Sequence, residues 1–154
     1  MKEALDLLDE DPTLDEIGGK IQSTIESRGF SPVINLSGHS VDRYLIHSGI
    51  TIPNYANGNE NKLGSGGFAI EPFATNGSGR VRDGKPSGIY SLVNTKSVRS
   101  PIAREILEYV IEEYETMPFC SRWLIKKFGT KAVIGIKQLI DIENFHDYAQ
   151  LIEE

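Results

Sequence analysis

The sequence lacks most features that would assign a protein to a special class. Its single cysteine, Cys120, excludes an internal disulfide framework, and no apolar run is long enough for a membrane-spanning helix. The acidic N-terminal segment has no signal-peptide core. A net charge of -6 does not provide the basic face that phosphate binding needs, which argues against a nucleic-acid partner. These absences predict a cytoplasmic protein with no membrane partner.

Compact catalytic motifs are also missing from the sequence. It contains no HExxH metal motif, no GxSxG elbow and no P-loop. The sequence has two glycine-rich stretches, Gly64–Gly67 and Asn76–Gly79, but neither of them both follows a strand and opens a helix, so neither is expected to bind phosphate. Cys120 has no histidine near it in the sequence, and we expect it to be buried by packing.

The first part of the chain is predicted to be helical. The 154 residues, 39% of them apolar and 25% charged, are typical of a globular domain. Thr13 precedes Glu16 by three residues, which is a capping-box pattern. An apolar face follows at helical spacing: Leu14, Ile17, Ile21 and Ile25. The Gly18–Gly19 pair is costly inside a helix, which predicts close packing against another element. Gly29 is expected to end this helix.

The middle of the chain, from about residue 30 to 95, is rich in glycine, asparagine and serine. Short apolar runs alternate with turn residues and predict strands of an antiparallel sheet. These runs are Val33–Leu36, Tyr44–Ile46, Phe68–Ile70 and Ile89–Val93. The segment Asn54–Gly67 has little apolar sequence and is predicted to be a surface loop.

The last third is predicted to form three short helices. Ser100–Pro101 is an N-cap followed by proline at the first helical position. A second helix should end at Gly129, and Thr130 should cap a third. The second helix is indicated by Trp123, Leu124 and Phe128. The apolar face of the first helix is predicted to be Ile102, Ile106, Leu107, Val110, Ile111 and Tyr114. The inward-facing residues of the third are predicted to be Ala132, Val133, Ile136, Leu139 and Ile140.

Two histidines and one glutamate are the candidates for chemistry. His39 and His47 are eight residues apart, so they would share a face if the segment between them were extended. Glu71 ends an apolar run, where a buried carboxylate would need a partner or a metal. The residues alone also allow a turn histidine and a solvated strand-end glutamate. His146, among polar residues near the C-terminus, is expected to be solvated.

Three sequence blocks resemble the type 2 methionine aminopeptidases. They are NLSGHSVDRYLIHSGITIPN, GGFAIEPFATNGSG and ETMPFCSRWL. The resemblance implies an α/β (α+β) pita-bread fold, here partial, with the helical insertion that marks type 2 enzymes. The expected divisions are a catalytic domain at 1–99, a winged-helix-like insertion at 100–148 and a return to the catalytic domain at 149–154. The implied function is metal-dependent removal of the N-terminal methionine from nascent proteins, with the ribosome as a further candidate partner.

The resemblance also assigns roles to particular residues. His39 and Glu71 would ligate a metal, and His47 would be catalytic and contact the substrate. The expected pocket for the methionine side chain is formed by Ile46, His47, Phe73, Pro118 and Tyr148. The implied cofactors are two divalent ions (Co, Mn, Fe or Zn), for which imidazole and carboxylate are suitable ligands.

The resemblance implies five metal ligands, and only His39 and Glu71 have counterparts here. We therefore expect a chain truncated at both ends, with weak metal affinity and no activity alone. Three other readings remain open. One is a non-catalytic pita-bread protein of the proliferation-associated type, and another is a proline-specific peptidase of the same fold. The third treats the helices after Ser100 as a nucleic-acid module, against which the acidic stretch EYVIEEYE argues.

Overall fold

A computed structural model of the protein describes residues 2–154. The helices of this part are α1 (Lys2–Leu5), α2 (Leu14–Glu26), α3 (Pro101–Glu113), α4 (Ser121–Phe128) and α5 (Ala132–Asp141), with a 3₁₀ turn at Leu8–Glu10. The strands are β1 (Ser31–Pro32), β2 (Ser37–Val41), β3 (Thr51–Pro53), β4 (Gly67–Ala69), β5 (Ala74–Thr75), β6 (Val81–Leu92), β7 (Phe119–Cys120) and β8 (Phe145–Glu153). Helices and antiparallel strands together confirm the predicted mixed class.

The chain forms two compact units. The first runs up to Arg82 and includes Leu151–Glu154, and the second is Asp83–Gln150. The two longest strands, β6 and β8, each contribute residues to both units. The expected domain boundaries near residues 100 and 148 stay a prediction. No helix within residues 2–154 has the length and apolar character needed to cross a membrane.

Helix α2 forms with the capping box and the buried apolar face that its sequence predicts. The Thr13 backbone N–H donates to Glu16 Oε2 at 2.7 Å, and the Glu16 N–H donates to Thr13 Oγ1 at 3.1 Å, which completes the capping box. These two bonds satisfy N–H groups that a helix start would otherwise leave unpaired. The buried core of the unit is Ala4, Leu14, Ile17, Ile21, Ile25, Ile52 and Leu63. Gly29, at φ +79°, ends the turn after the helix.

The two glycines inside α2 have different surroundings. A Cβ atom on Gly18 would lie 2.2 Å from the backbone oxygen of Tyr55, whereas one on Gly19 would meet only the Ala56 Cβ, at 3.5 Å. The predicted close approach is therefore confirmed at Gly18 and is absent at Gly19. Gly18 is needed because helix and loop backbones touch at this point.

The strands of the first unit form two small sheets, with orders β3–β2–β4 and β1–β5. The predicted strand at Val33–Leu36 is wrong, because the Val33 and Ile34 N–H groups donate to loop carbonyls outside any ladder. The predicted strand at Tyr44–Ile46 is also wrong, since the chain turns tightly there and Tyr44 has φ +56°. The strands predicted at Phe68–Ile70 and Ile89–Val93 correspond to β4 and to the end of β6.

The second unit packs three helices with the sheet β7–β6–β8. Its buried core is Tyr90, Ala103, Ile106, Leu107, Val110, Phe119, Leu124, Ala132, Ile136, Leu139 and Phe145. Helix α4 ends at Gly129 as predicted. Three predictions at α3 and α5 are wrong. Ile111 and Val133 are exposed, and the N-cap of α5 is Lys131 instead of Thr130. Exposed apolar residues here show that the helical pattern overstates the width of the buried faces.

Asn144, at the turn between α5 and β8, is fully buried and holds the segment that precedes α3. Its Oδ1 accepts from the Lys96 N–H, and its Nδ2 donates to the Lys96 carbonyl, both at 2.8 Å. Its own carbonyl accepts from the Val93 N–H at 2.9 Å. Asn144 thus provides hydrogen-bond partners for the backbone of the segment around Val93–Lys96, part of which has no regular secondary structure.

Candidate metal centre

His39 lies on the central strand of the sheet β3–β2–β4. It faces Thr51 of β3 on one side and Ala69 of β4 on the other. Because successive side chains of a strand alternate between faces, the His39 side chain lies on the opposite face of the sheet from that of buried Ser40. The His39 side chain is 17% exposed, so it is largely buried but retains some access to solvent.

Glu71 follows β4 by two residues and returns toward His39. Its Oε1 lies 3.9 Å from His39 Nε2, and its side chain is 42% exposed. Gly38 makes this approach possible, because a Cβ there would lie 2.3 Å from the Ala69 oxygen and 3.1 Å from the Glu71 nitrogen. Gly38 is a site residue that the sequence reasoning missed, although a glycine directly before a candidate ligand was a visible signal.

The two histidines are in direct contact. The rings of His39 and His47 have centroids 4.3 Å apart at an interplanar angle of 74°, in an edge-to-face arrangement. His47 is exposed, so part of its ring remains open to solvent. The expectation that the pair would share one strand face required an extended segment between them, and this condition is not met, although the rings are in contact. The segment between them is not extended, and a turn at Arg43–Tyr44 intervenes.

One tautomer of His39 suits a role as a metal ligand. Its Nδ1 lies 3.4 Å from the Ser40 carbonyl oxygen, which can only accept a hydrogen bond. With a proton on Nδ1, the ring would donate to that oxygen, and Nε2 would keep a lone pair available for a metal. A metal-binding histidine commonly has this arrangement, with one ring nitrogen ligating and the other hydrogen-bonded to a carbonyl.

The His39–Glu71 pair fits part of a metal site. Two atoms that each lie about 2.1 Å from one ion can be at most about 4.2 Å apart, and the observed 3.9 Å separation is within this limit. However, no group of three or more His, Cys, Asp or Glu side chains converges anywhere in residues 2–154. The pair can therefore supply two ligands, fewer than the three protein ligands of a typical catalytic zinc centre.

The remaining predicted substrate residues lie in separate units. In the first unit, Ile46 is half-buried beside His47, and Phe73 lines a cleft of about 280 Å³ whose other lining residues include Val33, Leu36, Val81 and Leu151. In the second unit, half-buried Pro118 directly precedes β7, and the Tyr148 hydroxyl lies 3.3 Å from Ser91 Oγ. Their roles in substrate binding stay predictions.

Two further candidates belong to the second unit. His146 is exposed on β8, and its ring centroid lies 4.6 Å from that of Tyr148, which agrees with the expected solvated histidine. Cys120 ends β7 and is the N-cap of α4, and it is half-buried, which is less burial than the sequence analysis expected.

Comparison with known proteins relates the chain to one group of enzymes. It is 48% identical over 111 residues to the methionine aminopeptidase of Pyrococcus abyssi, a match covering 71% of this chain and 38% of the relative. It is 40% identical over 141 residues to the methionine aminopeptidase of Methanothermobacter thermautotrophicus, covering 90% and 47%. For that of Saccharolobus solfataricus the identity is 37% over 147 residues, covering 92% and 48%. The chain thus spans less than half the length of these relatives. No family model matches it.

A solved structure supports the fold. The structure of a thermophilic Arx1 superposes with a TM-score of 0.69 and covers 93% of this chain and 39% of that one. Its sequence identity is 18%, so this likeness shows the fold alone, which is the pita-bread fold that the sequence resemblance implied.

Proposed function

We propose that this chain, a homologue of the archaeal methionine aminopeptidases, contributes His39 and Glu71 to a divalent-metal centre that removes the N-terminal methionine from polypeptides. The observation that most supports this proposal is that His39 Nε2 and Glu71 Oε1 lie 3.9 Å apart, while the His47 ring packs against that of His39. Nascent polypeptides are the proposed substrate, and the ribosome is a candidate partner.

Each residue of the centre has a distinct part in this proposal. His39 and Glu71 would hold the metal, and His47 would contact the scissile peptide from its exposed side. Ile46 and Phe73 would contribute apolar contacts to the methionine side chain, whose flexible thioether adapts well to such a surface. A bound divalent metal pair would supply water activated near neutral pH and would polarise the scissile carbonyl.

Incomplete ligation leads to a specific expectation for this chain. Two protein ligands should bind a metal weakly, and the same shortage should prevent turnover by the 154-residue chain alone. A second candidate function, that of a non-catalytic pita-bread protein, accords with the fold shared with the thermophilic Arx1. Metal binding distinguishes the two functions, because a non-catalytic protein would have no requirement for the His39–Glu71 pair.

The test is a Co²⁺ titration of the purified chain, followed by visible absorption and calorimetry. His39→Ala and Glu71→Ala should each lower the affinity by at least about tenfold, because each removes a direct ligand. His146→Ala is the matched control, since this histidine is exposed on β8 and has no assigned role in the proposed centre. Co²⁺ binding that is unchanged in His39→Ala would refute the proposed ligand.

A cleavage assay with a methionyl peptide completes the test. With Co²⁺ or Mn²⁺ present, the chain alone should give no turnover above that of His39→Ala. Robust turnover by the chain would contradict the expectation of an incomplete centre while supporting the proposed chemistry. Loss of that turnover in His39→Ala would then assign it to this site.

A further inference from the structure

The segment that carries His47 is an irregular insertion into the β2–β3 hairpin. Asp42 and Leu45 pair around the turn, with the Asp42 N–H donating to the Leu45 oxygen at 2.8 Å. Further along, the Ser40 N–H donates to the Ile50 oxygen at 2.9 Å. Between these two pairs, Val41 alone lies opposite the four residues 46–49. The hairpin therefore contains a large bulge, and bulges of this kind redirect side chains near functional sites.

Ser40 holds this bulge in place. Its Oγ accepts from the Ser48 hydroxyl at 2.8 Å and from the Ile50 N–H at 2.9 Å. Its carbonyl accepts from the Ser48 N–H at 2.9 Å. These three bonds and the Ser40–Ile50 backbone pair fix the segment directly after His47, where no regular ladder holds the chain.

The same residue also contacts the other histidine. The Ser40 carbonyl that accepts from Ser48 lies 3.4 Å from His39 Nδ1. Ser40 is thus linked to His39 by the carbonyl and to the His47 segment by the carbonyl, the N–H and the hydroxyl. Because Ser40 is only 6% exposed, its Oγ has little access to water that could replace these partners.

We propose that Ser40 is a positioning residue of the candidate metal centre, whose hydroxyl fixes the bulge so that the His47 ring packs against His39. Its functional meaning rests on the proposed aminopeptidase function, whereas the geometric part does not. A strand residue with a small side chain suits this place, because its hydroxyl must reach two donors, Ser48 and Ile50, in the irregular segment before β3. Alanine would keep the backbone bonds and remove both bonds to Oγ.

The experiment measures the contact between the two histidine rings directly. NMR of the full chain with labelled histidine should show a cross peak between the His39 and His47 ring protons, as expected from centroids 4.3 Å apart. Ser40→Ala should abolish this cross peak. Cross peaks between the paired β2 and β3 residues Gly38 and Ile52 should remain, which separates local release of the bulge from unfolding.

Three further variants make the result decisive. Ser37→Ala, on the same strand but remote from the bulge bonds, should leave the ring contact intact. Ser40→Thr retains the hydroxyl and should preserve the contact. Ser48→Ala removes one of the two donors to Ser40 Oγ and should weaken the contact. If Ser40→Ala does not fold, the contrast between Ser48→Ala and Ser37→Ala decides. An unchanged ring contact in folded Ser40→Ala, or in Ser48→Ala, would overturn the proposal.

A Co²⁺ titration links the geometry to the proposed function. Ser40→Ala should bind Co²⁺ more weakly than the unaltered chain, by up to about tenfold, because the His47 ring would no longer pack against the ligand His39, although the contact of His39 with the Ser40 carbonyl is retained. If the unaltered chain binds no Co²⁺ but Ser40→Ala still loses the ring contact, the metal function fails and the positioning role stands. If Co²⁺ binds through His39 and the ring contact does not depend on Ser40, the positioning role fails alone.

Discussion

The neighbouring glycines of α2 should respond in opposite directions to the same substitution. Gly18→Ala would place a methyl group 2.2 Å from the Tyr55 carbonyl oxygen and 2.8 Å from the Tyr55 carbonyl carbon. Both are backbone atoms, so no side-chain rotation can relieve the overlap. Gly19→Ala would place its methyl group 3.5 Å from the Ala56 Cβ, which is an ordinary contact. The pair is therefore a matched test within one helix.

The magnitudes follow from two opposing effects. Replacing glycine by alanine inside a helix stabilises it by about 0.8–1.0 kcal/mol. Inserting a methyl group into a filled space costs about 1–3 kcal/mol, and a rigid backbone neighbour favours the upper part of that range. Gly18→Ala should thus lower the free energy of unfolding by about 1–2 kcal/mol, whereas Gly19→Ala should raise it by up to about 1 kcal/mol.

Urea unfolding at constant pH measures both variants. Far-UV circular dichroism reports on the whole chain, and the fluorescence of the single tryptophan, Trp123, reports on the second unit. The urea midpoint measured by dichroism should fall for Gly18→Ala and rise for Gly19→Ala. An unfolding transition that dichroism detects and tryptophan fluorescence does not is assigned to the first unit, which contains α2. A Gly18→Ala variant as stable as the unaltered chain, or two variants shifted equally, would refute the close-packing argument.

Two further predictions concern hydrogen bonds. Asn144→Ala should lower the free energy of unfolding, measured in urea, by about 2 kcal/mol, because two buried hydrogen bonds to Lys96 are lost. Asn94→Ala, at an exposed side chain, should lower it by less. Equal decreases in the two variants would contradict the role of Asn144. The bond from the Thr13 N–H lowers the pKa of the Glu16 carboxyl below its ordinary value of 4.5. The ionised carboxylate therefore stabilises the folded state fully above pH 4.5. This stabilisation is lost as the pH falls through the lower pKa of the folded state. The stability difference between the unaltered chain and Glu16→Ala should accordingly shrink in acid, and a pH-independent difference would contradict this linkage.

The helices were largely predictable because their signals are local. The Thr13–Glu16 capping box, the apolar face of α2 and the stop at Gly129 depend on residues within a few positions of one another. The strands were less predictable, since the runs Val33–Leu36 and Tyr44–Ile46 are apolar but form turns. A strand exists only where a partner offers a ladder, and the partner lies elsewhere in the chain.

The amino-acid sequence by itself determined the helical segments, the family resemblance and the candidates His39, His47 and Glu71. The tertiary structure decided how those three side chains meet. His39 and His47 are brought together by a bulge tied to Ser40, and Glu71 approaches because Gly38 leaves room for the chain after β4. These contacts join residues that are far apart in sequence or separated by a turn, and periodicity carries no information about such pairings.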